Sequence, residues 1–104
     1  MASSKGYLDF ILEQFSETEG VTWRAMMGEY VLYVHGKVFG GIYDDRLLVK
    51  DLPAAAALLP GAPRELPYPG GREMLLVEDV EDRALLRALA EALDQALPAP
   101  RNKK

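Results

Sequence analysis

The chain has 104 residues, 49% of them apolar and 27% charged, enough for one hydrophobic core and not two. Twelve basic against sixteen acidic side chains give a net charge of −4, the wrong sign for a protein that coats nucleic-acid phosphates. No cysteine is present, which excludes disulfides, thiolate metal sites and thiol catalysis together.

No apolar run approaches the ~20 residues that a membrane-spanning helix needs. The first fifteen residues carry Asp9, Glu13 and Gln14 among their apolar positions and read as an amphipathic helix, not a signal peptide. A cytoplasmic location is expected, with no membrane partner. Within that helix Tyr7, Leu8, Ile11, Leu12 and Phe15 recur at spacings of three and four, the mark of one buried face. Ser3 or Ser4 can cap its start, and Gly20 can follow its end.

From Val21 the period drops to two. Val21, Trp23, Ala25 and Met27 share one face, with Thr22, Arg24 and Met26 on the other. Gly28 interrupts, and Tyr30 to Val34 form a second strand rich in β-branched and aromatic residues. His35-Gly36 makes a two-residue turn, Lys37 to Tyr43 a third strand, Asp44-Asp45 another turn, and Arg46 to Lys50 a fourth strand. Connections this short demand antiparallel pairing. Asp51 caps and Pro53 opens a short helix over Ala54 to Leu59. Residues 60–71 hold four Pro and three Gly in twelve positions, a stiff loop. Glu73 to Val77 is a short strand, and Asp79 caps a final helix with Asp82 in its first turn. Leu85 or Leu86, Leu89, Leu93 and Leu97 form the apolar stripe of that helix, and Pro98 ends it.

The expected fold class is therefore α+β, in the order α-β-β-β-β-α-β-α, with terminal helices covering one face of an antiparallel meander. Residues 1–97 form one domain, and residues 98–104 form a disordered basic tail. Thr22, Arg24, Tyr33 or Tyr30, and Lys37 are candidates for the uncovered sheet face.

Chemistry-bearing constellations are scarce. His35, the sole histidine, falls in a turn and reads as an exposed turn residue. One His and no Cys leave only carboxylates for a metal, and neither a D-x-D-x-D-G loop nor an H-E-x-x-H helix occurs, so no metal and no cofactor are expected. Asp44-Asp45 are adjacent in a turn, whereas paired-carboxylate catalysis holds the two groups apart across a substrate. No catalytic residue is assigned. Gly40-Gly41 lies inside a strand and marks a bulge or a close packing approach. Arg24 is expected to pair with Glu29 or Asp44, with anion binding as the alternative. Trp23, Tyr30, Tyr33, Phe39 and Tyr43 are expected to pack in the core in preference to stacking bases, so direct nucleic-acid binding is not expected. The acidic side chains along the last helix read as a solvated face that a basic partner could meet.

The run Arg24-Ala25-Met26-Met27-Gly28-Glu29-Tyr30-Val31-Leu32-Tyr33 and the run Gly36-Lys37-Val38-Phe39-Gly40-Gly41-Ile42-Tyr43-Asp44-Asp45-Arg46-Leu47-Leu48-Val49-Lys50 together resemble the TfoX (Sxy) N-terminal domain. Its R-x-M-F-G-x-Y-x-L-Y, G-K-x-F and D-D-R-L-x-x-K patterns have counterparts here, with Met26, Gly28, Gly36, Gly40, Gly41, Asp45 and Arg46 as the structural positions. Met27 stands where the pattern usually has Phe. Pro67-Tyr68-Pro69-Gly70 and Glu73-Met74-Leu75 extend the likeness over about the first 97 residues. The resemblance implies a helix-flanked antiparallel sheet of the kind seen in type III secretion chaperones. It also implies a regulatory domain linked to natural competence, where full-length members act as coactivators with the cyclic-AMP receptor protein, and it brings no catalytic residues. Full-length regulators carry a second domain resembling helix-hairpin-helix modules beyond this point, so a stand-alone relative with a different partner is expected.

The leading expectation is thus a non-enzymatic regulatory or adaptor domain that binds another protein. A small-ligand site between the sheet and the Pro/Gly-rich loop is one alternative, with Arg24, Glu29, Tyr30 and Tyr43 as its polar groups, and weak nucleic-acid binding through the sheet and the basic tail is the other. A homodimer is expected to be available through the exposed edges of the meander.

Overall fold

Ser4 lies in extended backbone (φ −81°, ψ 149°), and its hydroxyl accepts the Tyr7 amide at 3.1 Å, which starts α1 (Lys5–Gln14). In the computed structural model, which describes residues 3–99, this helix buries Leu8 and Ile11, and Phe15 follows them into the core. The helix stops at Gln14, so Gly20 does not end it. Gly20 instead turns the chain into β1 (Val21–Met26) with φ 87°, where a Cβ would sit 2.5 Å from the His35 ring.

Three two-residue turns then build the meander. Met27-Gly28 (φ 53° and 85°) joins β1 to β2 (Glu29–Val34), and His35-Gly36 (φ 50° and 81°) joins β2 to β3 (Lys37–Ile42). Asp44 and Asp45, both at φ 55°, lead to β4 (Leu47–Lys50). Left-handed backbone at both central positions gives the twist that a right-twisted hairpin requires. Met27 is therefore a turn residue and not part of the face of Val21, Trp23 and Ala25, as its strand period suggested.

In the β2–β3 pairing, Tyr33 faces Val38 and Leu32 faces Gly40, which leaves Phe39 as a bulged residue. The bulge shifts the alternation, so that Lys37 and Ile42 both face the helices while Val38 faces away. Lys37 accordingly belongs under the helices, where its ammonium meets Asp94 at 2.9 Å, and not on the open face. A Cβ on Gly40 would strike the Leu48 carbonyl of β4.

Helix α2 (Pro53–Leu58) begins with Pro53 at its first turn, but its N-cap is Leu52, with no side-chain bond. The expected cap, Asp51, instead accepts from the Arg64 guanidinium at 2.6 Å, a charge-assisted bond stronger than a cap on so short a helix. The Pro/Gly-rich segment contributes β5 (Arg64–Glu65), a two-residue pairing too short to show a period in sequence, which lies against β6 (Met74–Leu76). Helix α3 (Arg83–Ala96) is capped by Asp82, whose carboxylate accepts the Leu85 amide at 3.0 Å. Asp79 sits one turn earlier, outside the helix, because the apolar stripe of Leu86, Leu89, Ala90 and Leu93 starts only after Asp82.

The sheet runs β1-β2-β3-β4-β6-β5, antiparallel throughout. Its helix-facing side carries Leu32, Val34, Phe39, Ile42, Leu47, Val49 and Leu75 against Leu8, Ile11, Phe15, Leu86, Leu89 and Leu93. This is the two-layer α+β architecture that the periodicity implied. Trp23 departs from the expected core: at the edge strand it is 40% exposed and meets Tyr30 edge-on at 5.6 Å. No helix among the described residues is long and apolar enough to cross a membrane. The expected basic tail lies outside the described residues from position 100 onward.

Candidate functional site

At one end of the sheet the Met27-Gly28 and Asp44-Asp45 turns stand side by side, and the start of the chain ties them together. The Ser3 amide donates to the Gly28 carbonyl at 3.0 Å. The Ser3 hydroxyl donates to Glu29 Oε1 at 2.5 Å and accepts the Asp45 amide at 2.9 Å. The Ser4 amide donates to Asp45 Oδ1 at 2.9 Å, and the Asp44 amide donates to the Glu29 carboxylate at 3.1 Å. The Tyr30–Ile42 pairing of β2 with β3 sets the two turns side by side, and Ser3 with the Glu29 carboxylate cross-links them.

Arg46, the first residue after the second turn, holds the opposite wall. Its guanidinium donates to the Tyr43 carbonyl at 3.0 Å, to Glu65 Oε1 at 2.5 Å and to the Leu66 carbonyl at 3.2 Å. This fork pins the proline-rich segment over the end of β3, and Tyr68 packs edge-on against Tyr43 at 5.9 Å. Gly41 makes room for the same ring: a Cβ there would lie 2.5 Å from the Tyr43 side chain. Burial raises the Tyr43 phenol above the ordinary tyrosine range, with Tyr68, Glu29 and Tyr33 adding to the effect, so it stays neutral near pH 7.

Between these walls lies a cleft of about 660 Å³. Met26 and Met27 form one lip, Pro67, Tyr68 and Pro69 the other, and Glu29, Tyr43, Asp44 and Arg46 line the base. Met27 is 96% exposed, Tyr68 50% and Met26 41%. Glu29 and Arg46 are already engaged with the protein's own backbone and side chains, so beside the exposed Asp44 carboxylate the surface offered outward is mainly thioether, aromatic ring and proline.

Of the four residues singled out as possible binding groups, Glu29 and Tyr43 reach this cleft. Arg24 does not: its guanidinium lies over the Tyr33 ring, 5.9 Å from the centroid, on the uncovered sheet face. Neither expected partner meets it: Glu29 accepts from Ser3 and from the Asp44 backbone, and the guanidinium turns to Tyr33 and not to the Asp44 carboxylate. Tyr30 is on the helix side, against Trp23. Among the family-pattern positions, Met26, Gly28, Asp45 and Arg46 gather around the cleft, Gly40 and Gly41 lie in the sheet beside it, and Gly36 is in the turn at the opposite end. Sequence reasoning missed the grouping of Ser3, Met27 and Tyr68. The signal available was a Tyr held between two prolines, Pro67-Tyr68-Pro69.

The sole histidine occupies that other end. His35 Nδ1 lies 2.9 Å from Asp94 Oδ2, and the Lys37 ammonium donates to the Asp94 carbonyl at 2.6 Å. The Lys37 hydrogen bond holds the Asp94 carboxyl below the ordinary carboxylate range, against its desolvation, and His35 adds to the lowering. This cluster fastens the β2–β3 turn to α3.

The comparisons with known proteins agree with this architecture. Residues 13–96 match the TfoX N-terminal domain. The chain is 33% identical over 105 aligned positions to an "Uncharacterized 12.7 kDa protein in trpE 5'region" of Spirochaeta aurantia, covering 100% of this chain and 91% of that protein. No solved structure matches it. The match runs from the last two residues of α1 through the whole meander and α3: the chain belongs to the TfoX N-terminal domain family.

Proposed function

We propose that this regulatory domain of the TfoX kind works in the cytoplasm, without catalysis, by docking an apolar segment of another protein in the cleft between the Met26–Met27 turn and Tyr68. The observation that carries this reading is the division of labour at the cleft. Glu29 and Arg46 spend their hydrogen bonds on Ser3, Asp44, Glu65 and Leu66, while the methionines and Tyr68 are turned to solvent. Flexible, polarisable methionine lips with an aromatic ring accommodate varied apolar side chains. The family's association with transcriptional coactivation supports the same reading.

The test is a photo-crosslinking residue at position 27 in the native host. One discrete protein adduct, lost on Tyr68→Ala, supports the proposal; absence of any protein adduct overturns it. The cleft volume of about 660 Å³ also falls in the range of small-ligand sites, which favours a metabolite as the second reading. A melting temperature that climbs with metabolite concentration, and stops climbing in Met27→Asp, would establish that reading instead.

A further inference from the structure

The two edges of the sheet are built differently. The β5 edge has two residues, both charged, between Pro63 and Pro67, and such an edge resists a further strand. The β1 edge, Val21–Met26, has six residues, no proline and no bulge in its register with β2. No strand lies against its outer side among the described residues.

Its free hydrogen-bonding groups follow from the ladder. The His35 amide donates to the Gly20 carbonyl at 2.9 Å, and alternation along an antiparallel pair then turns Thr22, Arg24 and Met26 inward to β2. Val21, Trp23 and Ala25 present their N–H and C=O groups outward.

We infer that β1 pairs antiparallel with β1 of a second copy of this chain, about a two-fold axis through Trp23, joining two six-stranded sheets into one. A two-fold axis normal to the sheet keeps each face on its own side, so only residues of the same face can sit opposite. Centring on Trp23 pairs Trp23 with the partner copy's Trp23, and Val21 with its Ala25. Each of these pairs is outward-facing and exchanges both backbone hydrogen bonds. The same register sets Thr22 beside Arg24 on the uncovered face. Centring on Arg24 would place two guanidiniums directly opposite each other and use fewer outward groups. Like charges opposite are destabilising and aromatic pairs stabilising, so the Trp23 register is selected. It also covers an indole that the helix layer leaves 40% exposed. This surface shares only Met26 with the cleft, and the pairing stands whether or not the cleft binds a protein.

Light scattering on the full chain tests the mass. Expected is a concentration-dependent dimer that Trp23→Lys, which sets two ammonium groups opposite, reduces to monomer with an unchanged circular dichroism spectrum. The single tryptophan reports the same step, its emission shifting red on dilution. Register is read by cysteines, since the chain has none. Trp23→Cys places Cα atoms about 5.5 Å apart, within disulfide reach, and crosslinks on mild oxidation. Arg24→Cys, on a diagonal of about 7–8 Å, does not. A monomer at every concentration, a dimer that survives Trp23→Lys, a crosslink through position 24 in place of 23, or the edge filled by a strand of a different protein would each overturn the pairing.

Discussion

At one end of the sheet the His35-Gly36 turn is clamped to α3 by Asp94, which meets both His35 and Lys37 at 2.9 Å. At the other end the Met27-Gly28 and Asp44-Asp45 turns are held by Ser3, Glu29 and Arg46, and nothing from the helix layer lies over Met27. The backbone solution is the same in all three turns, two residues at positive φ. What differs is where the charges point. In the clamp they close on a helix and tie the turn to the opposite layer. In the cleft they close on neighbouring turns and on the proline-rich segment, and so keep two walls apart. A polar network can therefore either shut a surface or hold one open, depending on whether its acceptors belong to the opposite layer or to the same rim.

Breaking each network sharpens that contrast. Arg46→Ala should have the largest effect, because it removes one guanidinium's bonds to Tyr43, Glu65 and Leu66 together. The expected loss is about 2 kcal/mol in urea unfolding, with the group half-buried, and proteolysis should shift to the freed segment near 66–70. Gly28→Ala, which forces an alanine to φ 85°, should cost about 1 kcal/mol by the same measurement.

Asp94→Asn should act through pH. The native Asp94 carboxyl titrates below its ordinary range, chiefly through Lys37. It therefore contributes stability above the unfolded-state carboxylate pKa, and that contribution disappears as pH falls through the depressed native value. The variant should be less stable than the parent at neutral pH and converge with it in acid, as followed by thermal melts across the acid range. Met27→Asp should change stability least, since that side chain is 96% exposed, while abolishing the adduct formed by a photo-crosslinking residue moved to position 68 on the opposite lip if the cleft is the docking surface. Equal adduct yields from the two proteins would break the comparison.

Much of the fold was legible because its determinants are local. The period of three and four around Leu8 and Ile11, the period of two from Val21, and the paired turn residues His35-Gly36 and Asp44-Asp45 each act within a few residues. The bulge at Phe39 was visible only as a Gly40-Gly41 pair without a direction, and the pairing of Lys37 with Val34, which puts Lys37 on the helix side, was not visible at all. Asp51 and Asp79 both looked like helix caps, because capping propensity is also local. One was captured by Arg64, and the other fell one turn short of the apolar stripe. At the cleft, Glu29 and Tyr43 were noted as polar groups on adjacent strands. Ser3, from the other end of the first helix, and Tyr68, from the loop, could not be placed beside them without coordinates.

By itself, then, the sequence determined the element types, their antiparallel order and the amphipathic faces, since backbone dihedral preference and hydrophobic period are properties of short windows. Only the tertiary structure decided which carboxylate meets which cation, which edge stays open and which turns enclose a cleft. Those pairings join residues far apart in the chain, as in Ser3 with Glu29 and Arg46 with Glu65. Their energies depend on distance and burial, which no local pattern specifies.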